Sequence, residues 1–340
     1  QRQMCIRDSY IYYSGHNIVL PDQDAFAKHP EWFTLDNGQR KITQLCWSNP
    51  EVDALMADKF TRLLEKNPAI KILGFYPEDN RDYCRCPKCA KMDVSTAWFS
   101  FLRRLSDTLK QRFPQMRFAS IAYQGYIDVP KCDVSGYEFI EYAMYDRCYV
   151  HPVGGNCEIS NNSGNRMREW GKRSPLGVYA YEFDIFTPTE MVPFYSMLSQ
   201  QAKFFKQNGI KMVLTETNNP DYPRNKPRTE RKAHQMRLGH YLYPQLLWNP
   251  DADVDALVAD YCAYVYPSAP EEMAAYHKLM DRAWSDQSQH FSVYGNDPMP
   301  AAEIFTPART EELLKLPNSF LLENCDCYES YTALLREKTK

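Results

Sequence analysis

Residues 70–80 of the 340-residue chain read IKILGFYPEDN. The first part, Ile70–Phe75, is short and mostly apolar, as a buried strand is, and acidic residues follow it directly. An amphipathic helical pattern precedes this segment at Glu51–Lys66, and another follows it at Ser95–Phe113. A strand between two such helices is the repeating unit of a parallel sheet covered by helices, so the stretch predicts an α/β fold.

The same alternation continues along the chain. A third helical pattern, Pro193–Asn208, is followed by Gly209, which suits a left-handed helix end. The segments with strand character are Tyr10–Ser14, Ile70–Phe75, Arg117–Tyr123, Glu138–Ala143, Leu176–Tyr181 and Ile210–Thr215. They give about six βα units, whereas a (β/α)8 TIM barrel has eight and takes about 250 residues or more. We therefore predict a TIM barrel that is truncated at its N-terminus.

An open doubly wound sheet is the structural alternative. We favour the barrel because no glycine-rich phosphate-binding turn follows any of the predicted strands. The predicted barrel domain covers residues 10–248. Residues 1–9 (QRQMCIRDS) have no apolar periodicity, and we interpret them as a non-native or disordered leader.

Strand signals stop after residue 248. Helical patterns follow from Asn249 to about Val265, at Pro270–Ser285 and at Pro307–Leu316. Residues 249–340 are therefore predicted to form a helical C-terminal region.

The composition excludes several classes of protein. Lys and Arg number 40 against 43 Asp and Glu, for a formal net charge of −3, so the chain lacks the positive surplus that nucleic-acid phosphates require. No run reaches the ~18 apolar residues of a transmembrane helix. Aromatic residues make up 14% of the chain, which suits a site that stacks on sugar rings, although most aromatic side chains belong to cores.

Acidic residues lie at the ends of several predicted strands, where the catalytic groups of βα barrels are found. Cleavage of a glycosidic bond uses two carboxyl groups, one to protonate the leaving oxygen and one to attack the sugar or activate water. The predicted catalytic residues are Glu78, Asp79, Glu182 and Glu216. For each of them alone, a solvated loop acid is the alternative explanation.

Other residues near the strand ends carry groups that bind sugars. The predicted substrate-binding residues are His16, Trp47, Asn80, Tyr123, Arg147 and His151. Arg147 suits an acidic substrate, although it would also pair with the adjacent Asp146. Trp47 offers a stacking surface, but we favour its burial in the core. For each histidine, a hydrogen bond to the loop backbone is an equal alternative.

Glu78, Asp79 and Asn80 form an acidic loop after the predicted strand Ile70–Phe75. Three cysteines, Cys84, Cys86 and Cys89, follow this acidic loop closely. A zinc site would need a fourth ligand, and the sequence offers His16, Cys46 and Asp79 as candidates without a second paired motif. We favour a structural clamp, made by a disulfide or by packed thiols, and predict neither a metal nor a cofactor.

Cys148 and Cys157 lie on either side of His151. In an oxidising compartment, a disulfide between them would close this loop.

Several longer segments resemble a bacterial family of glycoside-hydrolase-like barrel proteins, the domain-of-unknown-function family 4838. The segments are His29–Phe33, Gln44–Val52, Cys84–Cys89, Arg147–Pro152 and Leu246–Val254. That family is similar to the family 67 α-glucuronidases and, more distantly, to β-hexosaminidases. Its usual architecture is a small α+β domain, a TIM barrel and a helical segment.

The resemblance implies carbohydrate hydrolysis with an acid after the fourth barrel strand, which corresponds to Ile70–Phe75 and therefore to Glu78 or Asp79. It also implies a role for Glu216, which matches a glutamate after the last strand. The chain departs from the family pattern in two places. Relatives have Asn-Asp-Gly after strand four and a Trp-Asp-Tyr-like stretch at strand seven, where this chain has Glu78–Asn80 and Tyr179–Glu182.

We therefore expect a glycoside hydrolase that acts on a polysaccharide or oligosaccharide, with α-glucuronidase-like activity among the candidates. The expected location is periplasmic or extracellular, and the sequence does not predict an oligomeric state. Two alternatives stay open: a carbohydrate-binding protein without turnover, and a metal-dependent hydrolase.

Overall fold

The computed structural model describes residues 11–183, 195–217, 237–286, 288, 290–292 and 306–314. Its strands are β1 (Ile11–Tyr13), β2 (Phe33–Asp36), β3 (Gln39–Leu45), β4 (Ile70–Phe75), β5 (Arg117–Ala122), β6 (Phe139–Ala143), β7 (Leu176–Phe183) and β8 (Met212–Thr217). Within the described residues, six strands form one sheet in the order β1-β4-β5-β6-β7-β8. The pairs from β1 to β7 are parallel, and β2 and β3 form a separate antiparallel hairpin.

Helices connect and follow the strands. They are α1 (Gln23–Lys28), α2 (Pro50–Lys66), α3 (Val94–Arg112), α4 (Glu158–Gly171), α5 (Tyr195–Gln207), α6 (Arg237–Trp248), α7 (Val254–Val265), α8 (Pro270–Ser285) and α9 (Pro307–Leu314). Asn49 and Asp93 cap α2 and α3, because each side chain accepts a hydrogen bond from a backbone N–H of the first turn. None of the helices in the described part of the chain has the length and apolar character needed to cross a membrane.

The alternation of strands and helices predicted from the sequence is confirmed as a mixed α/β fold with a parallel sheet. Ile70–Phe75 has the predicted bounds, and the other sheet strands overlap their predicted segments. Gly209 is left-handed, with φ +66°, as its place after α5 predicts. Helix α7 starts later than predicted, at Val254, because Asp253 caps it by accepting from two backbone N–H groups. Residues 1–10, which include the predicted leader, lie outside the described residues.

The hairpin of β2 and β3 was not predicted. Its turn is Asn37-Gly38, and both residues have positive φ values, 48° and 78°. An Asn-Gly pair between extended segments is a strong hairpin signal, because both positions of the tight turn need this backbone region. We did not predict this hairpin because its strands, FTLD and QRKITQL, are largely polar.

The sheet curls so that one of its faces is concave. Tyr12 on β1 donates a hydrogen bond of 3.1 Å to Glu141 Oε1 on β6, across the two intervening strands β4 and β5. In a flat sheet, strands three places apart are separated by about 14 Å, and side chains stand roughly perpendicular to the sheet. The contact therefore requires that β1 and β6 turn towards each other.

Small residues on β4 and β5 make room for this contact. Gly74 lies beneath Tyr12, and Ala119 is its partner in the register of β4 and β5. A Cβ atom on Gly74 would lie 2.8 Å from the Tyr12 hydroxyl oxygen and 2.9 Å from Ser14 Cβ. Only glycine allows so close an approach, so Gly74 is a packing requirement of the curled sheet.

The chain divides into two compact units. The first contains the chain up to Ala143 together with Arg166–Tyr179 and Gly209–Leu214. The second contains Met144–Asn165, Ala180–Asn208 and the chain from Thr215 onward. Helices α7, α8 and α9 follow residue 248, and the predicted division into a barrel domain and a helical C-terminal region stays a prediction.

We expect Gly74→Ala to lower the free energy of unfolding by about 1–3 kcal/mol, because the new methyl group must displace Tyr12 and Ser14. Gly136→Ala is the control, since a Cβ there would meet nothing within 4 Å, and its effect should stay within about 0.5 kcal/mol. Urea unfolding of both variants measures the difference. Equal effects would contradict the packing argument.

Candidate functional site

The acidic loop after β4, Glu78–Asn80, is held by several hydrogen bonds. Gln44 is fully buried and bonds to the Glu78 backbone twice: its amide donates to the Glu78 carbonyl at 3.0 Å, and its oxygen accepts from the Glu78 N–H at 3.3 Å. The half-buried Glu78 carboxylate accepts from the Leu20 N–H at 3.1 Å. These bonds fix Glu78 at the carboxyl end of β4, as predicted.

Asp79 lies beside a residue from the next strand. Gln124, which follows β5, donates a hydrogen bond of 3.2 Å to Asp79 Oδ1. Gln124 has a φ of 46°, a left-handed conformation that is uncommon outside glycine and is enriched at functional sites. Tyr123 precedes it and is half-buried. The structure thus brings the predicted residues Asp79 and Tyr123 to neighbouring strand ends and adds Gln124.

His16 joins the same group of loops. It is exposed, its Nδ1 is hydrogen-bonded to the Pro77 carbonyl, and its ring packs edge-on against Tyr76 at 5.9 Å between centroids. Pro77 directly precedes Glu78. This bond is the contact with the loop backbone that the sequence analysis gave as the alternative for His16, and its role in substrate binding stays a prediction.

A cavity of about 420 Å³ adjoins His16 and opens between β1 and α2. Lys59, Arg62 and Lys66 of α2 also line it. Burial lowers the pKa of Lys59, and the negative charge of Glu78 acts in the opposite direction. The cavity is therefore a basic groove next to the acidic loop, and an anionic group is the ligand that its charge favours.

Glu141, on the concave face of the sheet, is a titratable residue that the sequence analysis did not select. It is fully buried, and only its Oε1 has a hydrogen-bond partner, Tyr12, among the described residues. The Tyr12 hydroxyl lies 3.5 Å from the Tyr76 hydroxyl. Burial raises the pKa of Glu141 from 4.5 to about 7, although the Tyr12 hydrogen bond lowers it. The sequence feature that could have identified Glu141 is its position inside the apolar run FIEYA.

Trp47 and Asn80 were predicted to contact substrate, but the structure places both in supporting positions. Trp47 is 4% exposed and packs against Trp98 and Tyr126, so it cannot serve as a stacking surface and the core alternative is correct. Asn80 donates to the Thr43 carbonyl at 2.6 Å and thereby ties the acidic loop to the end of β3.

Arg147 and Glu182 form a buried network in the second unit. Both side chains are fully buried, and Arg147 Nη1 lies 3.8 Å from Glu182 Oε1. Gln201 of α5 links them: its oxygen accepts from Arg147 at 2.7 Å, and its amide donates to Glu182 at 2.5 Å. Thr215 donates to the other Glu182 oxygen at 3.2 Å, and the guanidinium lies 4.2 Å from the centre of the Tyr149 ring.

This network corrects two predictions. Glu182 does not follow its strand but lies within β7, and it contacts helix α5 instead of a loop. Because neither Glu182 nor Arg147 is exposed, both are placed to stabilise the fold and not to meet a substrate. Glu216 also lies within its strand, since β8 continues to Thr217, and its catalytic role stays a prediction.

The predicted structural cysteines are free thiols. Cys46, one of the candidate fourth ligands, joins Cys84, Cys86 and Cys89 in a cluster of the first unit. Cys84, Cys86 and Cys89 form no disulfide in this structure, so it contains the packed-thiol form of the predicted clamp and not the disulfide form.

Cys148 and Cys157, in the second unit, are also unpaired. The predicted disulfide around His151 is therefore absent. His151 is half-buried, and its Nδ1 lies 3.3 Å from Cys148 Sγ.

The comparison with protein families identifies one that covers most of the chain. The family described as "Domain of unknown function (DUF4838)" matches residues 2–278. The chain belongs to this family. The family resemblance stated from the sequence is thereby confirmed, whereas the similarity to α-glucuronidases is not part of the match. The comparisons with curated proteins and with solved structures gave no match.

The raised pKa of Glu141 predicts how stability depends on pH. Between 4.5 and about 7 the folded chain holds a proton that the unfolded chain has released, so stability falls as pH rises through this range, by about 3 kcal/mol in all. Glu141→Gln, which cannot ionise, should remove this dependence. Urea unfolding at pH 4.5, 6 and 8 measures it, with Glu138→Gln on the same strand segment as control. An unchanged slope in Glu141→Gln would contradict the assignment.

Glu182→Ala should destabilise the chain by about 3 kcal/mol or more, because it removes a fully buried carboxylate that lies 3.8 Å from the Arg147 guanidinium and accepts hydrogen bonds from Gln201 and Thr215. Glu182→Gln keeps the shape and should cost less. The exposed Glu169→Ala is the surface control, with an expected loss within about 0.5 kcal/mol. Thermal and urea unfolding measure all three. A Glu182→Ala chain as stable as the wild type would refute the structural role.

Proposed function

We propose that the chain is a glycoside-hydrolase-like enzyme, that its curled sheet is part of a TIM barrel, and that it cleaves a polysaccharide or oligosaccharide in the periplasm or outside the cell. One observation carries the proposal. Glu78 and Asp79 lie in a fixed loop at the carboxyl end of β4, beside His16 and Gln124 from the neighbouring strand ends. In βα folds this end of the sheet is where catalytic groups are found.

The contacts support the following roles. Glu78, or its neighbour Asp79, acts as the general acid that protonates the leaving oxygen. The other carboxylate of the loop attacks the sugar or activates water, and the Gln124 amide orients Asp79 for this step. His16, Tyr123 and Gln124 supply donors and an aromatic face for sugar hydroxyls and rings.

The basic groove supports an acidic sugar as substrate. Lys59 and Arg62 line a cavity of suitable size for a saccharide unit and lie next to the acidic loop, as the influence of Glu78 on Lys59 indicates. A uronate carboxylate would pair with Lys59, whereas Arg62 already forms an ion pair with Asp58. An α-glucuronidase-like specificity is therefore the favoured form of the proposal.

A carbohydrate-binding protein without turnover is the second candidate. The burial of Glu182 favours it, since that residue was one of the acids expected at the site and is unavailable to a substrate. This candidate shares the binding groove and differs only in the absence of product.

The test is turnover on a panel of aryl glycosides and uronate-capped oligosaccharides. We expect Glu78→Gln to lower kcat/KM by about 10²–10⁴-fold through loss of the acid, with saccharide binding retained. Glu138→Gln is the matched control, because that glutamate pairs with Arg117 at the opposite end of the same sheet.

Undiminished turnover in both Glu78→Gln and Asp79→Asn would overturn the catalytic assignment. Saccharide binding by the wild-type chain with no released sugar would favour the second candidate, and the absence of any binding would reject both.

A further inference from the structure

Four cysteine sulfurs converge in the first unit although one of them is far from the others in sequence. Cys46 follows β3, whereas Cys84, Cys86 and Cys89 belong to the segment after β4. All four Sγ atoms lie within 4.8 Å of one another. Cys46, Cys86 and Cys89 are buried, and Cys84 is half-buried.

The spacing of the sulfurs matches a tetrahedral metal site. Zinc binds thiolate sulfur at about 2.3 Å, so neighbouring sulfurs of a regular tetrahedron lie about 3.8 Å apart. The sulfur of Cys46 lies 3.7 Å from that of Cys86 and 4.0 Å from that of Cys89. We propose that Cys46, Cys84, Cys86 and Cys89 bind one zinc ion.

The surroundings of the sulfurs support thiolate ligands. The Leu35 N–H donates to Cys84 Sγ at 3.3 Å, and the Cys89 N–H donates to Cys86 Sγ at 3.5 Å. Hydrogen bonds of this kind orient metal-bound sulfurs and stabilise their negative charge. The exposed side chains of Arg85 and Lys88, in the same segment, oppose the net negative charge of a zinc ion with four thiolates.

The site is closed, so its role is structural. Four protein ligands leave no coordination position for water or a substrate, which distinguishes it from a catalytic zinc. The ion would join the end of the hairpin at Cys46 to the segment after β4. That segment follows directly on Glu78–Asn80, so the metal would hold the candidate loop in place. The proposal does not depend on the function proposed for that loop.

A second, independent zinc site is assigned by the geometry to Cys148, His151, Cys157 and His290 of the second unit. Their ligand atoms also lie within 4.8 Å of one another. Cys148 Sγ is 3.3 Å from His151 Nδ1 and 4.0 Å from His290 Nδ1, close to the roughly 3.5 Å between sulfur and nitrogen in a tetrahedral zinc site. Two cysteines and two histidines are a common structural ligand set.

Elemental analysis of the full chain, purified under reducing conditions without added metal, tests both sites. We expect two zinc ions per chain. Cys84→Ser and Cys89→Ser should each retain one, the ion of the second unit, and Cys157→Ser and His290→Ala should each retain one, the ion of the first unit. The matched controls are Cys132→Ser and Cys262→Ser, free cysteines outside both clusters, which should keep two.

If a variant does not fold, measurements on the wild-type chain test whether the two sites bind zinc. Replacement of zinc by cobalt should give the visible absorption of tetrahedral cobalt with thiolate ligands, and a chelator should make the six ligand cysteines reactive to a thiol reagent. A chain without zinc, one with iron in its place, or one with disulfides among these cysteines would overturn the proposal. Zinc retained in full by the variants of one cluster would overturn that cluster alone.

Discussion

The contact between Tyr12 and Glu141 is the constraint on which the described sheet depends. It joins β1 to β6 across two strands and therefore exists only if the sheet curls. The curl in turn requires Gly74, because any side chain there would meet Tyr12 and Ser14. Because β1, β4 and β5 are adjacent parallel strands, their carboxyl ends lie side by side, and His16 and Gln124 contact the acidic loop there, at Pro77 and Asp79.

Two buried glutamates show how the surroundings decide what a carboxyl group can do. Glu182 lies beside Arg147 and accepts bonds from Gln201 and Thr215, so its charge is compensated and its role is structural. Glu141 has only Tyr12 as a described hydrogen-bond partner, and burial therefore raises its pKa to about 7. A strand glutamate is thus neither catalytic nor structural by position alone. Its partners decide.

The cysteines illustrate a related point about spacing. Cys84, Cys86 and Cys89 form an incomplete ligand set in the sequence, and the sequence could not choose among His16, Cys46 and Asp79 for the fourth place. The fold brings Cys46 beside them because the hairpin returns the chain to the segment after β4, where the Arg85 N–H bonds to the Leu35 carbonyl. Rules based on sequence spacing do not detect a ligand set whose residues come from distant segments, whereas the tertiary structure shows it.

The sequence by itself determined the elements: the strand Ile70–Phe75, the capped helices around it, and the acids that follow it. These depend on local periodicity, capping and turn chemistry, which neighbouring residues carry, and the overlooked hairpin at Asn37-Gly38 was readable by the same rules. Only the tertiary structure decided which side chains are reachable. Trp47, Arg147 and Glu182 are buried, Gln124 and Glu141 gain importance, and Cys46 becomes a ligand candidate. Burial and partnership depend on residues far apart in the chain, so local patterns indicate them only in part, as the apolar run around Glu141 does.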